Sequence, residues 1–185
     1  MTPAQLGVLV GYWQTLSQAI TRHELLNATH PRNRPSIAGP AEELIRQLPL
    51  LQFLPVICDL IERRIPDAGP PDTLPIWFRP TIAFLRTCGD EPPTAKFPPF
   101  PWPARRPNGE STPPDVLHDA LEHVWRVIEH QHAPRTRARA GVRCIERLTW
   151  MDGIERSSDG HFGARAPVWA EFGSALHERI VGGGR

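Results

Sequence analysis

Arg135, Arg139, Arg143 and Arg147 recur at every fourth residue, and Arg137 falls among them. The window 135–147 holds five arginines and a single acid, Glu146. On a helix, residues at that spacing share a side and lie about 6 Å apart along the axis. Like charges so placed destabilise an isolated helix by about a few tenths of a kcal/mol per pair, so something must compensate. A row of guanidinium groups at this pitch can follow the phosphates of an extended strand without reading its bases. Trp150, seven residues after Arg143, falls on the same side and has the ring needed to stack on a base. Arg135, Arg137, Arg139, Arg143, Arg147 and Trp150 are therefore the candidate nucleic-acid-binding set. The competing expectation is that acids of a neighbouring helix, such as Glu122 or Glu129, neutralise the row.

Other chemistry-bearing residues carry weaker patterns. His118 with Glu122, and Asp119 with His123, are each four residues apart, and each pair has the spacing of two metal ligands on one helix face. No His-Glu-x-x-His is present, and His130 is about 10 Å along a helix axis from His123. These histidines are expected at the surface of a polar helix face, with no metal bound. Ser157, Ser158, Asp159 and His161 include the residue types of a hydrolase triad, but adjacent turn residues do not assemble triad geometry. They are read as turn chemistry. Of the 21 basic residues one is lysine, Lys96, and no glycine flanks it. A phosphate-binding Gly-Lys loop, a Schiff-base lysine and a kinase strand lysine are all excluded. The three cysteines, Cys58, Cys88 and Cys144, form no Cys-x-x-Cys. Reduced thiols in a cytoplasmic protein are the simplest expectation, with no cofactor. The arginine excess over lysine also reflects GC-rich codons.

The elements that must position these residues are helices. Thr2, Pro3 and Gln5 form a capping-box pattern, followed by Leu6, Leu9, Trp13, Leu16 and Ile20 at helical spacing, which predicts a helix to about Asn27. Pro49 and Pro55 each look like the first residue of a short helix within 40–66. A further helix is expected over Pro80 to Thr87. Asp115 to Gln131 has the cleanest amphipathic pattern, with Val116, Leu117, Ala120, Leu121, Val124, Trp125, Val127 and Ile128 on one half. Helices from Arg135 to about Met151 and from Pro167 follow, the last seamed by Val168, Trp169, Phe172, Leu176 and Ile180. Residues 154–163 have the pattern of one short β-hairpin. Nine prolines within 90–114 mark a strap, Phe97 to Pro103, extended and polyproline-like. Its aromatic residues suit packing within the chain better than recognition by a proline-binding domain.

These patterns predict a mainly α protein: an irregular helical bundle with subdomains 1–89 and 115–185 joined by the strap 90–114. With 185 residues and a net charge of +1, the chain is neither disordered nor uniformly basic. No leader or membrane-spanning stretch is expected; the most apolar run, Leu44 to Ile61, carries Arg46 and Asp59. Arg32, Arg34, Arg63, Arg64, Arg105 and Arg106 are further candidates for positive edges of the arginine surface. The expected function is a non-enzymatic subunit of a nucleoprotein assembly, with nucleic-acid backbone and other protein subunits as partners. The general architecture is similar to that of small helical subunits of RNA-guided interference complexes. The alternatives are a structural or assembly protein of a phage-like particle and a winged-helix DNA-binding regulator, in which 115–131 and 135–151 would be the DNA-binding pair and 154–163 the wing.

Overall fold

Capping and proline placement account for where the helices begin. The computed structural model describes residues 2–29, 35–70, 72–88, 112–151 and 166–182. Among them are the α-helices α1 (Pro3–Thr29), α2 (Ala38–Gln47), α3 (Leu50–Arg63), α4 (Phe78–Thr87), α5 (Pro113–Glu129), α6 (Pro134–Leu148) and α7 (Ala166–Gly182), and no strand. A 3₁₀ turn, Pro66–Ala68, follows α3. The protein is mainly α, as its periodicity predicts. At α1 the Thr2 N–H donates to Gln5 Oε1 at 2.8 Å and the Gln5 N–H to Thr2 Oγ1 at 3.2 Å, which is the expected reciprocal cap. A second capping box starts α5: the Thr112 N–H and hydroxyl both donate to Asp115 Oδ2, at 2.8 and 2.6 Å. That cap extends α5 two residues upstream of the expected start, to Pro113. The strap residues 90–111 and the expected hairpin 154–163 lie outside the described residues.

Pro55 corrects the sequence expectation. It does not open a new helix but sits inside α3. A proline there cannot donate to the carbonyl four residues back, which belongs to Leu51. The Leu51 carbonyl instead accepts from Arg179 Nη2 of α7 at 3.3 Å. Pro49 does separate two helices, and its carbonyl accepts from the N–H groups of Gln52 and Phe53 in the first turn of α3.

One apolar core runs through the helices of both halves. Phe53 of α3 meets Phe172 of α7 edge-on, with centroids 6.1 Å apart, and Trp169 meets Phe172 at 6.2 Å. The α1 seam packs on α7, where Trp13 Nε1 donates to the Gly173 carbonyl at 2.9 Å. α6 approaches α2 and α3 closely at Gly141: a Cβ there would lie 3.0 Å from Phe53 Cζ and 3.1 Å from Ile45 Cγ2. Arg64 is buried and gives Nη2 to Glu171 Oε2 of α7 at 2.7 Å, while Arg63 Nη1 reaches Oε1 of the same carboxylate at 3.0 Å. Arg63 and Arg64 thus bridge α3 to α7 rather than extending the arginine surface. Arg32, Arg34, Arg105 and Arg106 lie outside the described residues.

Candidate nucleic-acid interface on helix α6

α6 is held by its apolar side. Ala138, Val142, Cys144, Ile145 and Leu148 are buried, which turns the opposite side to solvent. Arg135, Arg139 and Arg143 are exposed and Arg147 is half-exposed. Four of the five candidate arginines therefore form an open row on one helix. Trp150 follows directly after α6 and is 41 % exposed.

The row is partly countered, by acids other than those expected. Arg139 Nε lies 3.4 Å from Glu42 of α2, and Arg147 Nε lies 3.6 Å from Asp119 of α5. Glu122 is held by Arg126 on its own helix, and Glu129 accepts from Trp125 Nε1 at 3.1 Å. No carboxylate of a described residue pairs with Arg135 or Arg143. The two ion pairs are long and their arginines exposed, so each is worth at most about 1 kcal/mol and is open to exchange for another anion.

Arg137 does not join the row. It comes about 200° round the helix from Arg135, and its Nη2 donates to the carbonyls of Arg46 at 2.8 Å, Leu48 at 3.2 Å and Ile45 at 3.4 Å. These carbonyls lie at the end of α2, where helical donors run out; the Ile45 carbonyl accepts from the Leu48 N–H at 3.3 Å, and Pro49 has no N–H to offer it. The cation also sits at the negative end of the α2 dipole.

His118 is a correction to the expected surface histidine. It is 1 % exposed. Trp77, from the loop before α4, covers it edge-on with ring centroids 6.0 Å apart. Burial pushes its pKa down from 6.5 to about 4, against the opposing pull of Glu122 and Asp115. His123 is half-buried and is also lowered to about 4, first by burial and then by Arg126, with Arg147 and Arg143 adding in the same direction. Burial likewise raises Asp119, and the Arg147 charge opposes it.

Possible ligand atoms of His118, Asp119 and Glu122 lie within 4.8 Å of one another. Both carboxylates already face guanidinium groups, Arg147 and Arg126. That surrounding charge suits ion pairing better than a divalent cation. The three cysteines are free and buried, and burial raises the Cys58 thiol to about 12, so these thiols are unreactive at neutral pH. Among the described residues no helix is long and apolar enough to cross a membrane. Ser157, Ser158, Asp159 and His161 lie outside the described residues.

The chain matches no protein-family model, no curated protein and no solved structure.

Proposed function

We propose that this chain is a non-enzymatic helical subunit of a nucleoprotein assembly, which grips nucleic-acid backbone through Arg135, Arg139, Arg143 and Arg147. The observation that carries this is the open row itself: four guanidinium groups on one rigid helix, two of them unpaired among the described residues, ending at an exposed tryptophan. Contacts of this kind go to phosphates and are independent of sequence. Trp150 adds a stacking platform, which every base can use. The subunit character rests on the exposed apolar side chains of Val8 and Leu51, which rim a groove between α1 and the start of α3. Such side chains suit protein partners.

The test is a binding titration against salt. Changing Arg139 and Arg143 together to Glu removes two phosphate contacts. The slope of log K against log salt should flatten by about 1.4 for a single strand and about 1.8 for a duplex. Helix content should stay unchanged. Salt-insensitive binding, or none by the parent chain, would refute the function.

A second function is favoured by the pairing of Arg139 with Glu42 and of Arg147 with Asp119. If acids of another protein replace these partners, the row is a protein-assembly surface. The purified chain would then form ordered oligomers by light scattering, with the 260/280 absorbance ratio of protein alone.

A further inference from the structure

His123 lies on α5 beside the arginine row. α5 and α6 are joined by a short turn and run antiparallel, and Arg147 meets Asp119 across their seam. One turn on along α5 and one turn back along α6, the same register sets His123 opposite Arg143. Arg126, one turn beyond His123 on α5, adds a third guanidinium. The carboxylates facing this group are Asp119 and Glu122, both half-buried and both already beside an arginine. His123 Nδ1 is buried and has no hydrogen-bond partner among the described residues. The charges of the other elements packed on α5, namely Asp59, Glu62, Arg63, Asp67, Arg79 and Arg86, are not among those acting on it. Asp59 and Glu62 are held by Arg86.

We propose that this seam is a proton-linked phosphate subsite: Arg143 and Arg147 hold a backbone phosphate, and His123 takes up a proton as the phosphate seats. The proposal rests on the nucleic-acid function of the row. Its physics is local. Without the anion, burial and Arg126 oppose the imidazolium most, Arg147 and Arg143 add to them, and Glu122 offsets part of the effect. A phosphate offsets those charges and makes protonation easier. Linkage is reciprocal, so whatever raises the basicity of His123 on binding must tighten binding in acid. Arg143 is the natural anchor because no described carboxylate competes for it, and the loose Arg147–Asp119 contact can open towards a stronger anion.

The test uses a labelled oligothymidylate and a labelled oligouridylate, titrated with the full chain at fixed ionic strength between pH 7.5 and 5.5. The parent, His123→Asn and His123→Gln chains are compared, with folding checked by circular dichroism. At pH 7.5 all three should bind alike. Towards pH 5.5 the affinity of the parent should rise at least about threefold more than that of either substituted chain, within the limit of about tenfold per pH unit for one proton. Calorimetric titration of the parent in two buffers of different ionisation heat should show net proton uptake, a readout that needs no substituted chain to fold. Binding with the same pH slope in all three chains overturns the subsite while leaving the row intact. Binding by the parent without proton uptake does the same. Absence of binding at every pH overturns the row, and the subsite with it.

Discussion

Acid should weaken this protein through His118, by an amount that follows from its burial. In the fold its pKa is lowered from 6.5 to about 4. Above pH 6.5 the imidazole is neutral in both folded and unfolded chains, and the neutral fold has its full stability. As the pH falls through 6.5, the unfolded chain gains a proton that the folded one refuses until about pH 4. Stability therefore falls with pH across that window, by at most about 1.4 kcal/mol per pH unit for one group. Over the whole interval the loss is about 3 kcal/mol, a sizeable part of the 5–15 kcal/mol typical of a domain. His123 is lowered in the same direction and adds to the loss. Replacing His118 by Leu removes the titration and keeps an apolar group against Trp77. Urea unfolding of parent and His118→Leu chains at pH 7.5, 6, 5 and 4.5 would measure it. The stability difference between the two should shift in favour of His118→Leu by about 2.5 kcal/mol between pH 7.5 and 4.5. Parallel pH profiles would show that His118 is not held neutral by the fold, contrary to its burial under Trp77.

Two further contrasts test packing and the division of labour among the arginines. Arg137→Met should lower stability by about 1.5–3 kcal/mol, since it strips charged hydrogen bonds from the end of α2, and should leave the salt slope of nucleic-acid binding unchanged. Arg143→Met should do the reverse, with stability within about 0.5 kcal/mol and a slope flatter by about 0.7–0.9. Thermal unfolding and a salt titration of both chains separate the two roles. At Gly141 an added methyl meets Phe53 and Ile45 at 3.0 and 3.1 Å, so Gly141→Ala should cost about 1–3 kcal/mol less the roughly 1 kcal/mol gained in helix propensity. Gly11→Ala meets nothing within 4 Å and should stabilise by about 0.5–1 kcal/mol. A reversed order of melting temperatures would contradict the close approach of α6 to α2 and α3.

The helices and their apolar faces were legible because both follow local rules. Every residue placed on the inward half of α5 by periodicity is buried, and so is the expected α7 seam from Val168 to Ile180. Caps at Thr2 and breaks at Pro49 are likewise set by residues within a few positions of each other. The outward aim of Arg135, Arg139, Arg143 and Arg147 needs only their spacing and one apolar side to α6. Residues whose role depends on a distant partner were not legible. Pro55 looked like a helix start because a local rule cannot know that Arg179 covers the orphaned Leu51 carbonyl. Arg137 looked like a member of the row because nothing near it in sequence announces the carbonyls of α2. His118 lies on the polar half of the α5 wheel, and Trp77, folded over from another loop, covers it.

Helical character, most helix starts and the apolar side of each helix are therefore properties of the amino-acid order, since backbone hydrogen bonding and side-chain period act over one or two turns. Which charges remain open is instead a property of the packed molecule. Arginine pairing is set by what other helices bring within about 4 Å. That separates Arg135 and Arg143, which no described carboxylate meets, from Arg137, which caps α2, and from Arg64, which is buried against Glu171.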